Sequence, residues 1–542
     1  MADKKILLFA VLLLAACTAD PAMDGADGGN SSANTAAAAK LINTPYDAKQ
    51  GSLIVCFDDA AVPTIEATAA SFAATRGDAG DAAVLTRSGI APVDEVLQGL
   101  EITSLRRVFP YTPRHEERTR AAGLHKWYVM TFDEQADLEA AALKLAAVAE
   151  VRNVEFNTKL YVTSVGPRRP LTAADMAATR AAAAGRFNDP QLSRQWHYNN
   201  NGDKTVASTS RAGADINAQD AWAITAGNPG VVVAIVDQGV KYTHPDLAAN
   251  MWINTQEKNG ATGADDDGNG YIDDIYGYNF VTRGAVSWDR EVWVGGENKG
   301  DSGHGTHVAG VIAAVNNNGR GVCGIAGGRS NQGGVKIMSC QIMGNSEGAK
   351  TSNKNVKAFE YAWTNGAVIA QNSWGYLLED SDGNPIPPEQ FEKEWNQGFG
   401  SMRDAIDTFI RGAAAKNPDS PLQGGLVIFA AGNDGDVYGD AAVYPAAYGP
   451  VIAVGSMDWG FRPAYYTDYG SWVDITAPGG DFISSDGYGD GGVLSTILCD
   501  DTMNFTDGRK NKKLYGYGFM QGTSMACPHV SGVAALGLAY AA

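Results

Sequence analysis

The sequence predicts an α/β protein whose larger part is a doubly wound, mostly parallel sheet and whose smaller, N-terminal part is an α+β unit. Three observations carry this. After residue 188, apolar runs of strand length recur at 231–236, 335–342, 368–372, 426–430 and 451–455, and near-continuous apolarity marks strands covered on both faces. Stretches of helical periodicity separate those runs, such as Val308, Val311 and Ile312 after His304, which is the alternation of a parallel sheet with crossover helices. Before residue 166 the order is instead strand, strand, helix and extended segment.

Taken in chain order, Lys4 and Lys5 precede an apolar stretch at 6–14, followed by Leu14-Ala15-Ala16-Cys17. The stretch is too short for a permanent membrane span, so residues 1–17 read as an export segment and no part of the fold. Small residues before a cysteine resemble the bacterial lipobox, which implies lipidation of Cys17 and a lipid anchor at the cell envelope. The plainer alternative is an ordinary signal peptide whose cleavage site happens to precede a cysteine. Residues 18–45, rich in Ala, Asp, Asn, Ser and Gly, form a flexible tether. In the unit at 46–165, residues 52–57 and 126–132 read as strands, 134–148 as an amphipathic Ala-rich helix, and 151–162 as a further extended segment. Residues 166–187, with Gly166-Pro167-Arg168-Arg169-Pro170 and an Ala-rich run, read as a linker exposed to processing. The large unit then spans 188–542.

With 61 acidic against 42 basic residues the chain carries a formal net charge of −19. No basic stripe is present, which excludes nucleic acid as a partner. Hydrophobic residues make up 44% and glycine is abundant at 64, the balance of a globular enzyme with many loops. The 6 cysteines, Cys17, Cys56, Cys323, Cys340, Cys499 and Cys527, are too sparse for a disulfide scaffold. Cys527 reads as a buried thiol, and pairing of Cys323 with Cys340 stays open.

Chemistry is concentrated where elements begin and end. Asp237 closes the apolar run 231–236, at the carboxyl end of a strand, where open α/β sheets place their sites. His304 sits between Gly303 and Gly305 at the head of a helical run. Asn433 follows the strand 426–430 in a glycine turn, and Ser524 lies in Gly522-Thr523-Ser524-Met525-Ala526-Cys527-Pro528-His529. Each alone is an ordinary cap or turn residue. Together they supply what a serine nucleophile needs: a base, a carboxylate to orient it and a donor for the oxyanion.

In this order the segments resemble the subtilisin-like serine proteases (subtilases), whose triad runs Asp, His, Ser along the chain. The resemblance covers most of 188–542. It implies that Ser524 is the nucleophile, His304 the base and then acid, and Asp237 its orienting partner. Asn433 and the Ser524 backbone N–H would hold the oxyanion. The implied activity is endopeptidase cleavage of proteins or peptides through an acyl-enzyme. The chain departs from the family at Gln238, where a small hydroxyl residue is usual. His244, His307 and His529 read as packing residues. An esterase elbow is absent, because Gly522-Thr523-Ser524-Met525-Ala526 lacks the last glycine.

The resemblance also implies that 46–165 is an inhibitory propeptide that assists folding. Its tail would lie in the active site until cut, and the mature enzyme would begin near Phe187. Asn372, Ser373, Trp374 and Gly375 match the edge strand that pairs with substrate backbone. Ala430, Ala431 and Gly432 match the opposite wall of the pocket for the residue before the scissile bond. Val443 falls at that pocket's floor, which predicts a preference for medium apolar side chains. The family usually continues past this point with further helices, so an ending at Ala542 reads as either a short form or a truncated sequence.

Structural calcium and no catalytic metal is expected. Asp265, Asp267, Asn269, Tyr271 and Asp273 follow the ligand spacing of a calcium loop, with Gly270 at the sharp turn. Position 12 is Tyr276, not Glu, so Asp274 is the candidate bidentate ligand. A second site, implied by the resemblance, would use Asp189, Asp246, Val315 and Asn318.

Overall fold

The computed structural model describes residues 36–43, 45, 48–76, 84–158, 161–162, 169–172, 187–288, 293–294, 297–298, 302–344, 352–376, 386–397, 399–413, 422–482, 490–498 and 514–542. Cys17, Cys499, and the greater part of the tether and linker lie outside them.

The N-terminal unit is a four-stranded antiparallel sheet in the order β2-β3-β1-β4. Its strands are β1 (Ala48–Phe57), β2 (Ser104–Arg107), β3 (Trp127–Thr131) and β4 (Val151–Thr158). Helices Val62–Arg76, Ala91–Gly99 and Leu138–Ala146 accompany them. Asp137 starts the last helix by accepting from Ala140 N at 3.0 Å, satisfying one of the amides that a helix start leaves open. The first two helices and β2 went unread in the sequence.

This sheet buries both faces, which explains why Leu53-Ile54-Val55-Cys56-Phe57 is apolar throughout. Side chains alternate across a strand. Leu53, Val55, Phe57, Tyr128 and Met130 pack within the unit. Ile54, Cys56, Trp127 and Val129 instead join a core that includes Phe359, Trp363, Trp395, Phe399 and Phe409 of the large unit.

The large unit is an eight-stranded sheet in the order β17-β16-β15-β13-β7-β12-β8-β9. Its pairs are parallel except β8 with β9. The central strands are β7 (Val232–Gln238), β12 (Lys336–Met343), β13 (Ile369–Asn372) and β15 (Leu426–Ala430). On one flank β8 (Gly277–Asn279) and β9 (Gly284–Ala285) follow, and on the other β16 (Ile452–Met457) and β17 (Ile475–Pro478). Trp293–Val294 and Glu297–Asn298 form the hairpin β10–β11. Helices cover both faces. Val233, Ile235, Ile337 and Ile428 pack with helices His304–Ala313 and Thr523–Ala541. Ala234, Val236, Met338 and Phe429 pack with helices Ser352–Thr364 and Gly400–Gly412. The doubly wound expectation holds.

Two small sheets join the halves of the chain. Strand β5 (Tyr161–Val162) pairs antiparallel with β14 (Trp374–Gly375). Strand β6 (Arg169–Thr172) joins β18 (Val493–Thr496) and β19 (Leu514–Met520) in the order β18-β19-β6. Residues 169–172, expected in a linker, are therefore a strand. Cys56, Cys323, Cys340 and Cys527 are free and buried, so Cys323 and Cys340 do not pair. None of the described helices is long and apolar enough to cross a membrane.

Candidate active site

Strand and helix ends carry the predicted residues. Asp237 lies near the carboxyl end of β7, His304 opens its helix, and Ser524 is in the first turn of Thr523–Ala541. All three are buried. His304 Nδ1 donates to Asp237, at 2.8 Å from Oδ1 and 2.9 Å from Oδ2. That contact fixes the ring and leaves Nε2 as the basic nitrogen. His304 Nε2 is buried and has no hydrogen-bond partner among the described residues. Ser524 Oγ donates to Ser373 O at 3.3 Å.

The glycine after the histidine has a physical reason. A Cβ on Gly305 would lie 2.2 Å from Gln238 O and 3.3 Å from Asp237 Oδ1, so only glycine lets the histidine helix approach the aspartate strand. The unusual Gln238 serves the same junction. Its Oε1 accepts from Ser302 Oγ at 2.6 Å and His304 N at 3.1 Å, and its backbone N donates to Asp237 Oδ1 at 2.6 Å. The longer amide thus caps the histidine helix, a task a short hydroxyl in its place would not reach.

Asn433 is held by the nucleophile's neighbour. Its Oδ1 accepts from Thr523 N at 2.8 Å and Thr523 Oγ1 at 3.0 Å, which turns the Nδ2 end away from Thr523. Thr523 Oγ1 also accepts from Gly432 N at 3.2 Å. Asp468, unnoticed in the sequence, brackets the same loop. Its N donates to Gly432 O at 3.1 Å and its Oδ1 accepts from Asp434 N at 2.8 Å. Asp468 Oδ2 is buried without a partner among the described residues. Burial, with Asp434 and Asp436 nearby, pushes its carboxyl up to about 8. Gly432, at φ +124°, has no room for a side chain, since a Cβ would meet Asp468 Oδ2 at 1.9 Å.

The residues expected to line a cleft lie at and just beyond strand ends. Asn372 ends β13, and its Nδ2 donates to Ala370 O at 3.0 Å and Ile428 O at 3.2 Å. Ser373 Oγ donates to Ser524 O at 2.9 Å. Trp374 and Gly375 face Val162 and Tyr161 across the β5–β14 ladder. Ala430 ends the neighbouring strand β15 and Ala431 follows it, and a Cβ on Gly432 would meet Val443 Cγ1 at 3.7 Å, so Val443 stands beside these residues.

The other histidines are structural. His307 Nε2 donates to Val493 O at 3.0 Å, His244 Nε2 to Gly516 O at 2.8 Å and His529 Nδ1 to Met525 O at 2.7 Å. Burial lowers His307 to about 3 and His529 to about 4, which keeps both neutral.

Of the expected acidic loop, Asp265 and Asp267 come together, joined by Glu257. Carboxylate oxygens of Glu257, Asp265 and Asp267 lie within 4.8 Å of one another. Glu257 comes from the short helix Thr255–Asn259, outside the loop's spacing, so no loop pattern signals it. Asp273, at φ +55°, turns its carboxylate to Gly263 N, 3.1 and 3.0 Å away. Asp274 accepts from Asn254 Nδ2 at 2.8 Å, Asn269 Nδ2 at 3.0 Å and Tyr361 OH at 2.7 Å. Asn269 Oδ1 accepts from Tyr271 N at 2.8 Å, which closes the turn. The all-oxygen trio suits a hard divalent cation.

At the second expected site, Asn317 N and Asn318 N donate to Asp189 at 2.7 and 3.2 Å. Asn318 Nδ2 donates to Asp246 Oδ1 at 2.5 Å, Val322 N to its Oδ2 at 3.0 Å, and Val315 N to Asp246 O at 2.8 Å. The four residues do meet, with N–H donors on both carboxylates.

Comparison with known proteins agrees with this geometry. A family model described as the subtilase family matches residues 228–541. A thermophilic serine proteinase from Bacillus sp. (strain AK1) is 29% identical over 316 residues, covering 58% of this chain and 54% of its own. An extracellular protease from Xanthomonas campestris pv. campestris is 30% identical over 403 residues, covering 74% of this chain and 54% of its own. Thermitase from Thermoactinomyces vulgaris is 29% identical over 321 residues, covering 59% of this chain and 79% of its own. Against the first two, the chain spans about half the length of the relatives it matches. The crystal structure of fervidolysin from Fervidobacterium pennivorans has a similar fold, with a TM-score of 0.51 at 20% identity over 90% of this chain and 54% of that one. The chain belongs to the subtilase family.

Proposed function

We propose that the protein is a serine endopeptidase made as a self-processing precursor. The observation that carries this is the buried Asp237–His304 pair, whose Nε2 has no partner among the described residues, together with Ser524 and the Asn433 that its neighbour Thr523 holds. In the proposed reaction Ser524 Oγ adds to the substrate carbonyl while its proton passes to His304 Nε2. Asp237 stabilises the imidazolium, and Asn433 with the Ser524 N–H receives the oxyanion. His304 then gives the proton to the leaving nitrogen. Water, activated by the same histidine, releases the acyl group from Ser524. The test is casein hydrolysis by wild type and Ser524→Ala. Abolition by the substitution supports the reading, and retained hydrolysis contradicts it.

The N-terminal unit acts as the inhibitory propeptide in this reading, supported by its β5 segment lying where substrate backbone would pair. A calcium ion held by Glu257, Asp265 and Asp267 would rigidify the loop and take no part in the reaction. The related extracellular proteases support export; lipidation at Cys17 is the proposed anchor, tested by mass analysis of the Cys17→Ser precursor.

A further inference from the structure

Gln371 is a buried amide on β13, the strand between β7, which carries Asp237, and β15, which leads to Asn433. Its side chain joins two segments that the proposed reaction needs in register. Oε1 accepts from Cys527 Sγ at 3.3 Å and from Ser531 Oγ. Those two residues are four apart on the helix Thr523–Ala541, so they share one face of it, just beyond Ser524. Nε2 donates to Ser373 Oγ at 2.8 Å. Ser373 is two residues further along an extended chain and therefore on the same side of it.

The two segments meet at Ser373. Its Oγ donates to Ser524 O at 2.9 Å, and its own backbone O accepts from Ser524 Oγ at 3.3 Å. A serine hydroxyl has one proton and two lone pairs. The Gln371 amide fills a lone pair of the Ser373 hydroxyl, and the proton goes to the Ser524 carbonyl. Donors thus run in one direction from Ser531 to Gln371, to Ser373, to Ser524. All four residues are buried. A buried polar group that loses its partner keeps the cost of desolvation, so the run resists sliding of the nucleophile's helix against the cleft strand. A small misplacement of a reacting group is expensive in rate. An apolar side chain of similar length would fill the place of Gln371 and hold neither end.

We propose that Gln371 is a positioning residue for Ser524, setting through the Ser373 hydroxyl where the nucleophile's helix meets the cleft strand. This rests on the reading of Ser524 as the nucleophile. It adds a residue that acts through Ser373 and takes no part in the bond changes.

The experiment compares wild type, Gln371→Met, Ser373→Ala and the double variant. Each is made as the full chain and processed by a trace of tagged wild-type enzyme that is then withdrawn. The readouts are kcat and KM on a peptide and the rate of fluorophosphonate labelling at Ser524, which needs no peptide paired with the strand. In Gln371→Met, kcat and the labelling rate are expected to fall together, roughly tenfold or more, with KM nearly unchanged. In the Ser373→Ala background the same substitution should change either rate by less than about twofold, because the bridge is already gone. Ser531→Ala is the milder variant if Gln371→Met does not fold. Its expected loss of kcat is smaller and again vanishes without the Ser373 hydroxyl. Equal losses with and without that hydroxyl, a loss confined to KM, or labelling at the wild-type rate would overturn the proposal and leave the Ser524 reading intact. Hydrolysis that persists in Ser524→Ala overturns that reading, and the proposal with it.

Discussion

The N-terminal unit touches the large unit in two very different ways. In the cleft it contributes two backbone-paired residues, Tyr161 and Val162. On the helices behind, it contributes a sheet face. Trp127 Nε1 donates to Asp404 Oδ2 at 3.2 Å, and Glu155 accepts from Ser401 N at 2.7 Å and Ser401 Oγ at 2.6 Å. Arg118 stacks over Trp363 at 4.4 Å, and Arg114 pairs with Asp267 at 3.0 Å. A broad apolar face with buried aromatic anchors supplies affinity, whereas a short paired strand supplies position. In the propeptide reading the contrast is a division of labour: the helix face would hold the unit, and the cleft strand would block the site.

Four changes would break or sharpen that contrast. The largest effect is expected from Asn433→Ala, which acts on the chemistry alone. Turnover should fall roughly 10²–10³-fold with little change in KM, and a change confined to KM would contradict the oxyanion role. Next, Trp127→Ala should strip the helix face of its anchor, costing about 2–4 kcal/mol of docking. The lag before processed enzyme cleaves a peptide should shorten by tenfold or more, with the steady rate unchanged; an unaltered lag would place the affinity elsewhere.

Third, burial raises the Glu155 carboxyl to about 7 from an ordinary 4.5. A raised carboxylate favours the docked state below its ordinary value, and that contribution is lost as pH rises through about 7. Docking measured by the lag should therefore weaken from pH 4.5 to 7, and Glu155→Gln, which keeps an acceptor for Ser401, should flatten that slope. A parallel slope in the variant would remove Glu155 from the account. The smallest effect belongs to Asp468. Asp468→Ala should lower kcat about tenfold, the equivalent of ~1.4 kcal/mol for a lost buried hydrogen bond, and Asp468→Asn should retain most of it. Equal losses in both variants would argue against bracketing of the Asn433 loop.

The segments that carry the proposed triad and Asn433 were legible because each is short, glycine-marked and at an element end, where local sequence and chemistry coincide. The alternation of the large sheet was legible for the same local reason. Glu257, Asp468 and Glu155 were not, because their roles arise from contacts between distant segments and their surroundings look like ordinary surface sequence. Strand β6 was misread because it is four residues long and contains Pro170. It sits at a sheet edge, the one place such a residue is tolerated. The acidic loop was legible from its spacing, whereas the hydrogen bond from Gly263 N to the Asp273 carboxylate is a contact that spacing does not encode.

The most direct test of the central claim is covalent labelling of the processed enzyme with a fluorophosphonate, followed by peptide mapping. The account predicts a single adduct on Ser524, formed far more slowly in a His304→Ala chain that a trace of wild-type enzyme has processed. An adduct on a different residue, or unchanged labelling of Ser524 without His304, would contradict it.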